Sequence, residues 1–535
     1  MTSSFWTAYP SKGYKTVNEL CVNSEDTIDL NSFKEIDECV HLSSEGSKVV
    51  EFYNGKSVLI TGGLGFMGKL ITEKLLRTCK NIATIYLIVR PKRQKDAATR
   101  VEEAFSDILF SELKKVHPEF KKKIVAIEGD LSLPGIGISE ENRRIINDKV
   151  NIIIHGAASV KLNENISSSI TTNLLGTIEI LKVVKSCKNL SSFVYISTVY
   201  SNSVHREIEE KVYFTPYSAD EILKLVKDEG KKLDGKSEWI IGSWPNSYTF
   251  SKAISENTVM KECSGLPVCI FRPAIITATH REPVKGWINN YYGAVGIIAL
   301  SQKGLIRCLH INPENFLEIV PGDFVANAII VAAYNNQFNT SASMKIYNFV
   351  SSPQNPISKG DLSTLAQYYG HQVATSQSIW HPFNIFIENI YVYWICSFLL
   401  HNLPAALQDV LLVLSGKKPK LLSTYKNIHK FTKSLAFVTT KDFQIQNNNV
   451  QKLWDSLSII DQKIFNFNMS KSNINWNEYI KRLCAGIKLY LFKEEFDTIP
   501  KARKHLKRLE FYHVVSQIIF IFIIMLMCFW IYSLF

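Results

Sequence analysis

Val58-Leu59-Ile60-Thr61-Gly62-Gly63-Leu64-Gly65-Phe66-Met67-Gly68-Lys69 is the stretch of sequence that decides the fold of this chain. Its first three residues predict a buried strand, its glycine run predicts a tight turn, and the apolar spacing from Met67 to Cys79 predicts a helix. A strand that feeds a helix through such a turn aims the helix N-terminus, with its unpaired N–H groups, at one point that suits a pyrophosphate. A glycine turn of some other α/β fold would read the same way, so the rest of the chain must decide.

The glycine turn predicts contacts to the phosphates of a dinucleotide. Gly62 can take a backbone conformation that is closed to other residues, Gly65 lets phosphates approach the main chain, and Gly68 lets the helix lie close to the strand. We therefore expect the cofactor to contact Thr61, Gly62, Gly65, Phe66, Met67 and Gly68.

A second apolar strand, residues 85–89, ends in a cluster of cations. NAD-specific folds place an acidic residue at this point, about 20 residues beyond the glycine turn, to bind the ribose 2′-OH. Here Arg90 is followed by Lys92 and Arg93, which can pair with a 2′-phosphate. The pattern favours NADP, with Arg90 and Arg93 as contacts, although a solvated basic loop would look similar.

Polar or small residues also follow three later predicted strands. Asp130 stands where a carboxylate can accept hydrogen bonds from an adenine amino group, and Ala157 lies in a small-residue crest that lets a cofactor pass close to the backbone. Ser197 and Thr198 end another strand and face the same crevice. Asn173, a polar residue in an apolar helix, needs a partner such as a water or a neighbouring backbone group.

The segment Pro245-Asn246-Ser247-Tyr248-Thr249-Phe250-Ser251-Lys252 carries the predicted chemistry. Pro245 and Ser247 mark a helix start, and Tyr248 and Lys252, four residues apart, share one face of that helix. An ammonium beside a phenol stabilises the phenolate, so we expect a lowered pKa for Tyr248 and a role in proton transfer. Most Y-x-x-x-K pairs lie on helix surfaces. This pair follows the glycine turn and five predicted strands, which favours a catalytic role.

At least six strands alternate with helices up to about residue 275, which predicts a doubly wound parallel α/β sheet. The 535 residues suggest two to four domains, and the 10 scattered cysteines suggest a reducing compartment and no metal site. The net charge of +12 is spread along the chain, so we expect anionic cofactors or a membrane surface as partners and no nucleic acid.

The end of the chain predicts a membrane anchor. Residues 514–535 are uncharged and extend ~33 Å as a helix, and cations from Lys501 to Arg508 precede them. We expect a tail-anchored protein whose catalytic domain lies in the cytosol. Residues 380–415 are also apolar but interrupted by polar residues, which predicts a helical hairpin on the protein or at a membrane interface more than a span.

Taken together these motifs resemble the fatty acyl-CoA reductases, which belong to the extended short-chain dehydrogenase/reductase superfamily. The likeness is carried by T-G-G-x-G-F-x-G-K, Ser197-Thr198, P-N-S-Y-T-F-S-K, E-P-V-K-G-W at 282–287, and a C-terminal part similar to the family's male sterility domain, over roughly residues 55 to 500. Leu64 departs from the family's usual Thr or Ser, and Gly322 from a larger apolar residue.

The resemblance implies NADPH-dependent reduction of a long-chain acyl-CoA to a primary fatty alcohol through a bound aldehyde, with release of CoA. It implies Asp130 and Leu131 near adenine, Thr198 or Ser197 and Tyr248 on the substrate carbonyl, Lys252 on Tyr248 and the nicotinamide ribose, and Asn173 in the active-site network. A membrane-bound dehydrogenase or epimerase acting on a sterol or nucleotide sugar, and a non-catalytic NADP-binding scaffold, remain as alternatives.

The predicted organisation has five parts and places the tail in a peroxisomal or endoplasmic reticulum membrane. The parts are a poorly ordered extension (1–48), an NADP-binding reductase domain (49–370), a helical sterility-like domain (371–500), a basic segment (501–513) and a transmembrane tail (514–535).

Overall fold

The computed structural model of the chain describes residues 33, 37–92, 94–338 and 344–533. Most of the expected N-terminal extension, and Arg93 among the expected cofactor contacts, lie outside the described residues. The strands are β1 (Ser57–Thr61), β2 (Thr84–Val89), β3 (Ile124–Glu128), β4 (Val150–His155), β5 (Ser192–Ile196), β6 (Glu207–Ile208), β7 (Val268–Pro273), β8 (Ile275–Thr277), β9 (Cys308–His310), β10 (Ile319–Pro321), β11 (Lys345–Phe349), β12 (Ile385–Ile387) and β13 (Gln444–Ile445).

Helices separate the strands and dominate the C-terminal part. The α-helices are Lys48–Tyr53, Phe66–Thr78, Ala97–Phe105, Ser111–Val116, Glu140–Lys149, Ile166–Ser169, Gly176–Ser186, Ala219–Glu229, Ser237–Ile241, Ser247–Glu262, Gly293–Gln302, Gly322–Asn335, Lys359–Gln372, Ile390–Ser397, Leu403–Leu414, Leu421–Thr439, Asn448–Asp455, Ile459–Ile464, Trp476–Gly486 and Ile499–Tyr532. Wider π turns at Ile170–Leu175, Phe398–Asn402 and Ile487–Leu491 continue a helix without a break.

Seven strands form one parallel sheet in the order β11-β7-β5-β4-β1-β2-β3. Six of them coincide with strands that the sequence predicts, and β11 adds a seventh at one edge. The chain runs from β1 outward through β2 and β3, then returns to β4 on the other side of β1. This reversal is the switch point at which doubly wound sheets bind ligands, beyond the carboxyl ends of the strands. The predicted fold class is confirmed.

Helices bury both faces of the sheet. Successive side chains of a strand point to opposite faces, so neighbouring strand residues belong to different cores. Val58 and Ile60 pack on the face covered by Phe66–Thr78 and Gly322–Asn335, whereas Leu59 packs on the face covered by Gly176–Ser186. The first of these cores also contains Tyr479 and Ile480, so the apolar interior is continuous between the sheet and the C-terminal helices.

In the part of the chain that the structure describes, two helices are long and apolar enough to cross a membrane, namely Ile390–Leu414 and Phe496–Trp530. The second contains the basic residues 501–508 and continues as one helix to Tyr532. From Val514 to Trp530 its large apolar side chains are exposed, which suggests association with a membrane. The first is one helix with a π turn, and it forms a hairpin with Leu421–Thr439.

Candidate active site

A cavity of about 1150 Å³ lies at the switch point of the sheet. The carboxyl ends of β1, β2, β4 and β5 border it because parallel strands end at the same edge. Most residues that the sequence singles out line this one cavity. They are Thr61, Gly62, Gly65, Phe66, Met67, Gly68, Arg90, Asp130, Leu131, Ala157, Ser197, Thr198, Tyr248 and Lys252.

The glycine turn presents a helix start to the cavity. Gly62 has a φ of +74°, and a Cβ on Gly68 would lie 2.2 Å from the carbonyl oxygen of Gly62, so neither position tolerates a side chain. Gly65 caps the helix Phe66–Thr78 without a side-chain hydrogen bond. The first N–H groups of that helix therefore have no side-chain acceptor, and their residues line the cavity, which fits a bound diphosphate.

Cations border the cavity next to the end of β2. Arg90 lies 3.8 Å from Asp130, measured from Nη1 to Oδ2, and Arg100 donates a hydrogen bond to the backbone oxygen of Arg90. Arg100 is a further cavity residue that the sequence did not reveal, because a basic residue on a helix is usually only solvated. Two guanidinium groups at this place fit a nucleotide with an extra phosphate.

The helix Ser247–Glu262 brings Tyr248 and Lys252 to the cavity. Its Ncap residue Asn246 accepts a hydrogen bond from the N–H of Thr249 at 2.9 Å, which fixes where the helix begins. The phenol of Tyr248 and the hydroxyl of Thr198, at the end of β5, both line the cavity, and Thr198 is close enough to influence the pKa of Tyr248. These two hydroxyls are the polar pair at which a substrate carbonyl can bind.

Lys252 is buried, and its ammonium is held by β5. It donates to the carbonyl oxygen of Ile196 at 2.8 Å and to the hydroxyl of Tyr195 at 3.3 Å. Burial lowers the pKa of Lys252 to about 7, although the Glu256 carboxylate acts in the opposite direction. Tyr195 and Glu256 were not predicted, because a tyrosine inside an apolar strand gives no sign of its partner.

The expected lowering of the pKa of Tyr248 is wrong for this structure. Burial raises that pKa above the ordinary value, and the neighbouring hydroxyl of Thr198 offsets only part of the rise. The phenol of Tyr248 is therefore protonated at neutral pH, the form that donates a proton.

Asn173 and Ser197 bind protein groups. The amide of Asn173, in the π turn, donates to the carbonyl oxygen of Ser159 at 3.1 Å and to the hydroxyl of Ser251 at 3.0 Å, and it accepts from the N–H of Ser159 at 2.8 Å. It does not line the cavity and acts as a positioning residue. Ser197 donates to the buried carboxylate of Glu256, so Thr198 is the hydroxyl beside Tyr248.

His155, at the end of β4, has the structural role that the sequence favours. Its ring contacts the hydroxyl of Thr61 at 2.6 Å and that of Thr177 at 3.1 Å. Burial, together with the charge of Lys252, lowers its pKa to about 3, so the ring is neutral. These bonds connect the ends of β1 and β4, next to the small residues that follow β4.

The C-terminal part supplies a wall of the cavity. Phe431, Leu435 and Val438, on the helix Leu421–Thr439, line it opposite the glycine turn's sheet edge, and Asn163 donates to the carbonyl oxygen of Lys430 at 3.3 Å. An apolar wall suits an acyl chain. The sequence predicts a helical C-terminal domain but not the surface against which this helix packs.

The turn formers and polar residues of E-P-V-K-G-W predict a segment outside the core that borders the substrate site, and the structure corrects this prediction. Glu282 and Trp287 are buried. Glu282 lies 2.6 Å from the ammonium of Lys74 and 2.7 Å from the guanidinium of Arg77, and the Trp287 ring stacks on Phe66 at 5.2 Å between centroids. The segment therefore packs against the helix that follows the glycine turn and supports that turn.

Fold and site together define a Rossmann-type oxidoreductase that uses a nicotinamide cofactor. Residues 60–329 match an NAD-binding family that is described as male sterility protein. Residues 400–494 match a second family, Sterile, which has the same description. The chain is 36% identical over 496 residues to fatty acyl-CoA reductase wat of Drosophila melanogaster, covering 92% of this chain and 95% of the relative. It belongs to the fatty acyl-CoA reductase family.

Two further comparisons agree with this placement. Fatty acyl-CoA reductase 1 of Rattus norvegicus is 34% identical, over 86% of this chain and 89% of the relative. The terminal R domain from the myxalamid PKS-NRPS biosynthetic pathway superposes with a TM-score of 0.54 at 16% identity, over 88% of this chain and 98% of that chain, which shows the shared fold.

Proposed function

We propose that this chain reduces long-chain fatty acyl-CoA to the primary fatty alcohol with NADPH, through a bound aldehyde and with release of CoA. The observation that carries the proposal is that one cavity joins the uncapped helix start, the Thr198–Tyr248 hydroxyl pair and the apolar wall of Leu421–Thr439. Membership of the fatty acyl-CoA reductase family supports the substrate class.

The hydroxyls of Thr198 and Tyr248 bind the thioester carbonyl oxygen. Reduced nicotinamide, when bound, supplies a hydride to the carbonyl carbon. The two donors stabilise the negative charge that develops on the oxygen, and Tyr248, protonated at neutral pH, gives the oxygen its proton. The buried charge of Lys252 stabilises the tyrosinate that results and binds the ribose of the cofactor.

Two rounds of reduction complete the reaction. The first gives a hemithioacetal, whose carbon–sulfur bond breaks to leave an aldehyde and the CoA thiol. The second adds hydride to the aldehyde carbon and a proton from Tyr248 to its oxygen, giving the primary alcohol. Each round consumes one hydride, so two NADPH are used per alcohol.

The choice of NADPH rests on the cations at the end of β2. Arg90 and Arg100 border the cavity there, and Arg93 is proposed from the sequence alone. Asp130 offers a carboxylate near the adenine, although it also accepts from the N–H and hydroxyl of Ser132, at 3.0 and 2.8 Å.

The C-terminal helix is proposed as a tail anchor that leaves the catalytic part in the cytosol, at a peroxisomal or endoplasmic reticulum membrane. Its exposed apolar end and the preceding cations support this orientation. Residues 49–370 would form the reductase domain and 371–500 the helical domain that completes its cavity. An anchored enzyme exchanges acyl chains with lipid, at ~0.8 kcal/mol per buried CH₂, without passing them through water.

The direct test is product analysis with palmitoyl-CoA and either NADPH or NADH. The proposal predicts hexadecanol and free CoA, two NADPH oxidised per alcohol, and much slower turnover with NADH. Oxidation of a sterol or conversion of a nucleotide sugar, with no alcohol from palmitoyl-CoA, would favour the rival dehydrogenase or epimerase. Cofactor binding without any turnover would favour a scaffold.

A further inference from the structure

The helix Ile390–Leu414 has the reverse of the usual polarity of a surface helix. Its buried side is a stripe of residues four apart, Ser397, His401, Ala405 and Asp409, of which three are polar. Within this stripe the His401 ring accepts a hydrogen bond from the N–H of Arg307 at 3.0 Å. A surface helix in water normally buries its apolar face and exposes its polar one.

The exposed side of the same helix is apolar except at Gln408. Trp394 is 58% exposed, Ile395 and Leu411 are 62% exposed, and Leu414 is 79% exposed. A continuous apolar surface of this kind marks a contact with another apolar phase. The other exposed apolar residues of the helix are Tyr391, Val392, Phe398, Leu399, Leu403, Leu407, Val410 and Val413.

Positive charge borders this apolar surface. Residues 390–439 contain six lysines, at 417, 418, 420, 426, 430 and 433, and one acidic residue, Asp409. The Asp409 carboxylate is already occupied, because it accepts hydrogen bonds at 2.9 Å from the N–H groups of Lys420, Leu421 and Leu422. An apolar face with a basic rim is complementary to the surface of an anionic bilayer.

The start of this helix lies close to the point where the C-terminal helix becomes apolar. His513, directly before that apolar run, stacks on Phe383 at 4.7 Å between ring centroids and accepts from the Trp380 indole at 3.2 Å. Asn389, the Ncap residue of Ile390–Leu414, is six positions after Phe383, a reach of at most about 20 Å. Both apolar segments therefore begin in one region of the molecule.

We propose that Ile390–Leu414 lies in the plane of an anionic bilayer, with its exposed apolar side chains among the acyl chains and Lys417, Lys418 and Lys420 at the lipid phosphates. It is a second membrane contact, separate from the C-terminal helix. Because Leu421–Thr439 packs between this helix and the cavity, the contact would bring the apolar cavity wall within about one helix diameter of the lipid, ~10 Å.

Lipid photocrosslinking of the full chain tests this contact. The chain is reconstituted into phosphatidylcholine–phosphatidylserine vesicles that contain a phospholipid with a diazirine in its acyl chain, and the crosslinked peptides are mapped by mass spectrometry. We expect crosslinks in residues 390–414 as well as in 514–533. Phe214 and Trp239, also exposed and apolar, are the internal controls and should remain unlabelled. Crosslinks confined to 514–533, or protein–protein crosslinks at 390–414, would overturn the proposal.

A membrane-impermeant amine reagent distinguishes a helix in the membrane surface from one that crosses it. In sealed vesicles, Lys417 and Lys418 should react from the same side as Lys122, an exposed lysine of the reductase part. Protection of the first two while Lys122 reacts would contradict the interfacial placement. Neither readout depends on turnover, so the contact and the reductase function can fail independently.

A triple variant tests the apolar face itself. Ile395→Gln, Leu407→Gln and Leu411→Gln together should reduce crosslinking of residues 390–414 severalfold and leave that of 514–533 unchanged. The matched control is Ile459→Gln, an exposed isoleucine on another helix, which should change neither. Unchanged crosslinking in a folded triple variant would contradict the proposal, and the wild-type map decides the question if the variant does not fold.

Discussion

The four-residue spacing of Tyr248 and Lys252 predicts their position but not their pKa values. The spacing places both side chains on one helix face, and the structure brings both to the cavity. It does not set their pKa values, because those depend on burial and on neighbours such as Thr198 and Glu256, which only the fold brings together. Thr198 could be anticipated as a hydroxyl at a strand end. Asn173 has a neighbouring backbone group as its partner, as its polarity predicts, and this partner, Ser159, holds it outside the lining of the cavity.

The pH dependence of kcat/KM tests the state of Lys252. Burial lowers its pKa to about 7, so its charge is present below that pH and is lost above it. Since this charge supports the tyrosinate and the ribose in the proposed mechanism, we expect log(kcat/KM) for NADPH to be level below pH 7 and to fall with a slope near −1 above it.

Lys252→Arg is the control for this prediction. An arginine keeps its charge throughout the range, so the variant should be slower but should lack the descending limb near neutrality. If kcat/KM of Lys252→Arg still falls above pH 7, the fall belongs to the titration of another group.

At the scale of elements, local signals and tertiary contacts differ in what they predict. The glycine turn and the strands around it are specified by short apolar runs and by Gly62 and Gly68, whose positions admit no Cβ. The partners of the C-terminal helices are not specified in this way. The sequence predicts a helical C-terminal domain, but only the fold shows that Leu435 and Val438 line a cavity shared with β1 and β5.

Leu435→Trp tests the role of this helix as the acyl-chain wall. A larger side chain at this cavity-lining position should shorten the acyl chain that fits, so kcat/KM for palmitoyl-CoA should fall about tenfold relative to lauroyl-CoA. Affinity for NADPH should not change. Lys433→Trp, at an exposed position on the same helix, is the control. An equal loss of kcat/KM for palmitoyl-CoA and lauroyl-CoA in Leu435→Trp would contradict the assignment.

At the scale of the whole molecule, one ion-pair network joins parts that are far apart in sequence. Glu282 contacts Lys74 and Arg77, and Lys74 also donates to the carbonyl oxygen of Ile464 at 2.6 Å. Burial acts to raise the pKa of Glu282, but the two cations hold it at about 2. The motif E-P-V-K-G-W could be recognised from the sequence, but its structural role could not, because the partners lie on other elements.

Glu282→Gln should destabilise the folded chain, because it leaves the buried ammonium of Lys74 without its ion-pair partner and Arg77 with Glu73 alone. Removal of one partner of a buried pair costs about 3–5 kcal/mol, so the thermal unfolding midpoint at pH 7 should fall by several degrees. Since the carboxyl is ionised down to about pH 2 in the folded state and to about pH 4.3 in the unfolded state, its contribution is present above pH 4.3 and disappears between these values.

Glu102→Gln is the matched control for this prediction. Its ion pair with Lys121 is exposed on both sides, so the unfolding midpoint should not change. Equal midpoints for Glu282→Gln and the wild type would contradict the structural role of the network.

Removal of the tail tests the anchor. A chain that ends after Glu510 lacks the exposed apolar run from Val514 and should be released from membranes by alkaline carbonate, whereas the full chain should remain. Equal resistance of both forms to carbonate, in membrane fractions probed by immunoblot, would place the integral anchor elsewhere.

The most direct test of the whole account is Tyr248→Phe, which removes one hydroxyl oxygen from the cavity. The account predicts that alcohol formation from palmitoyl-CoA falls by about 10²–10⁴-fold, because the proton donor is lost, while the dissociation constant for NADPH stays within about twofold of the wild type. Alcohol formation near the wild-type rate by this variant would contradict the proposed mechanism.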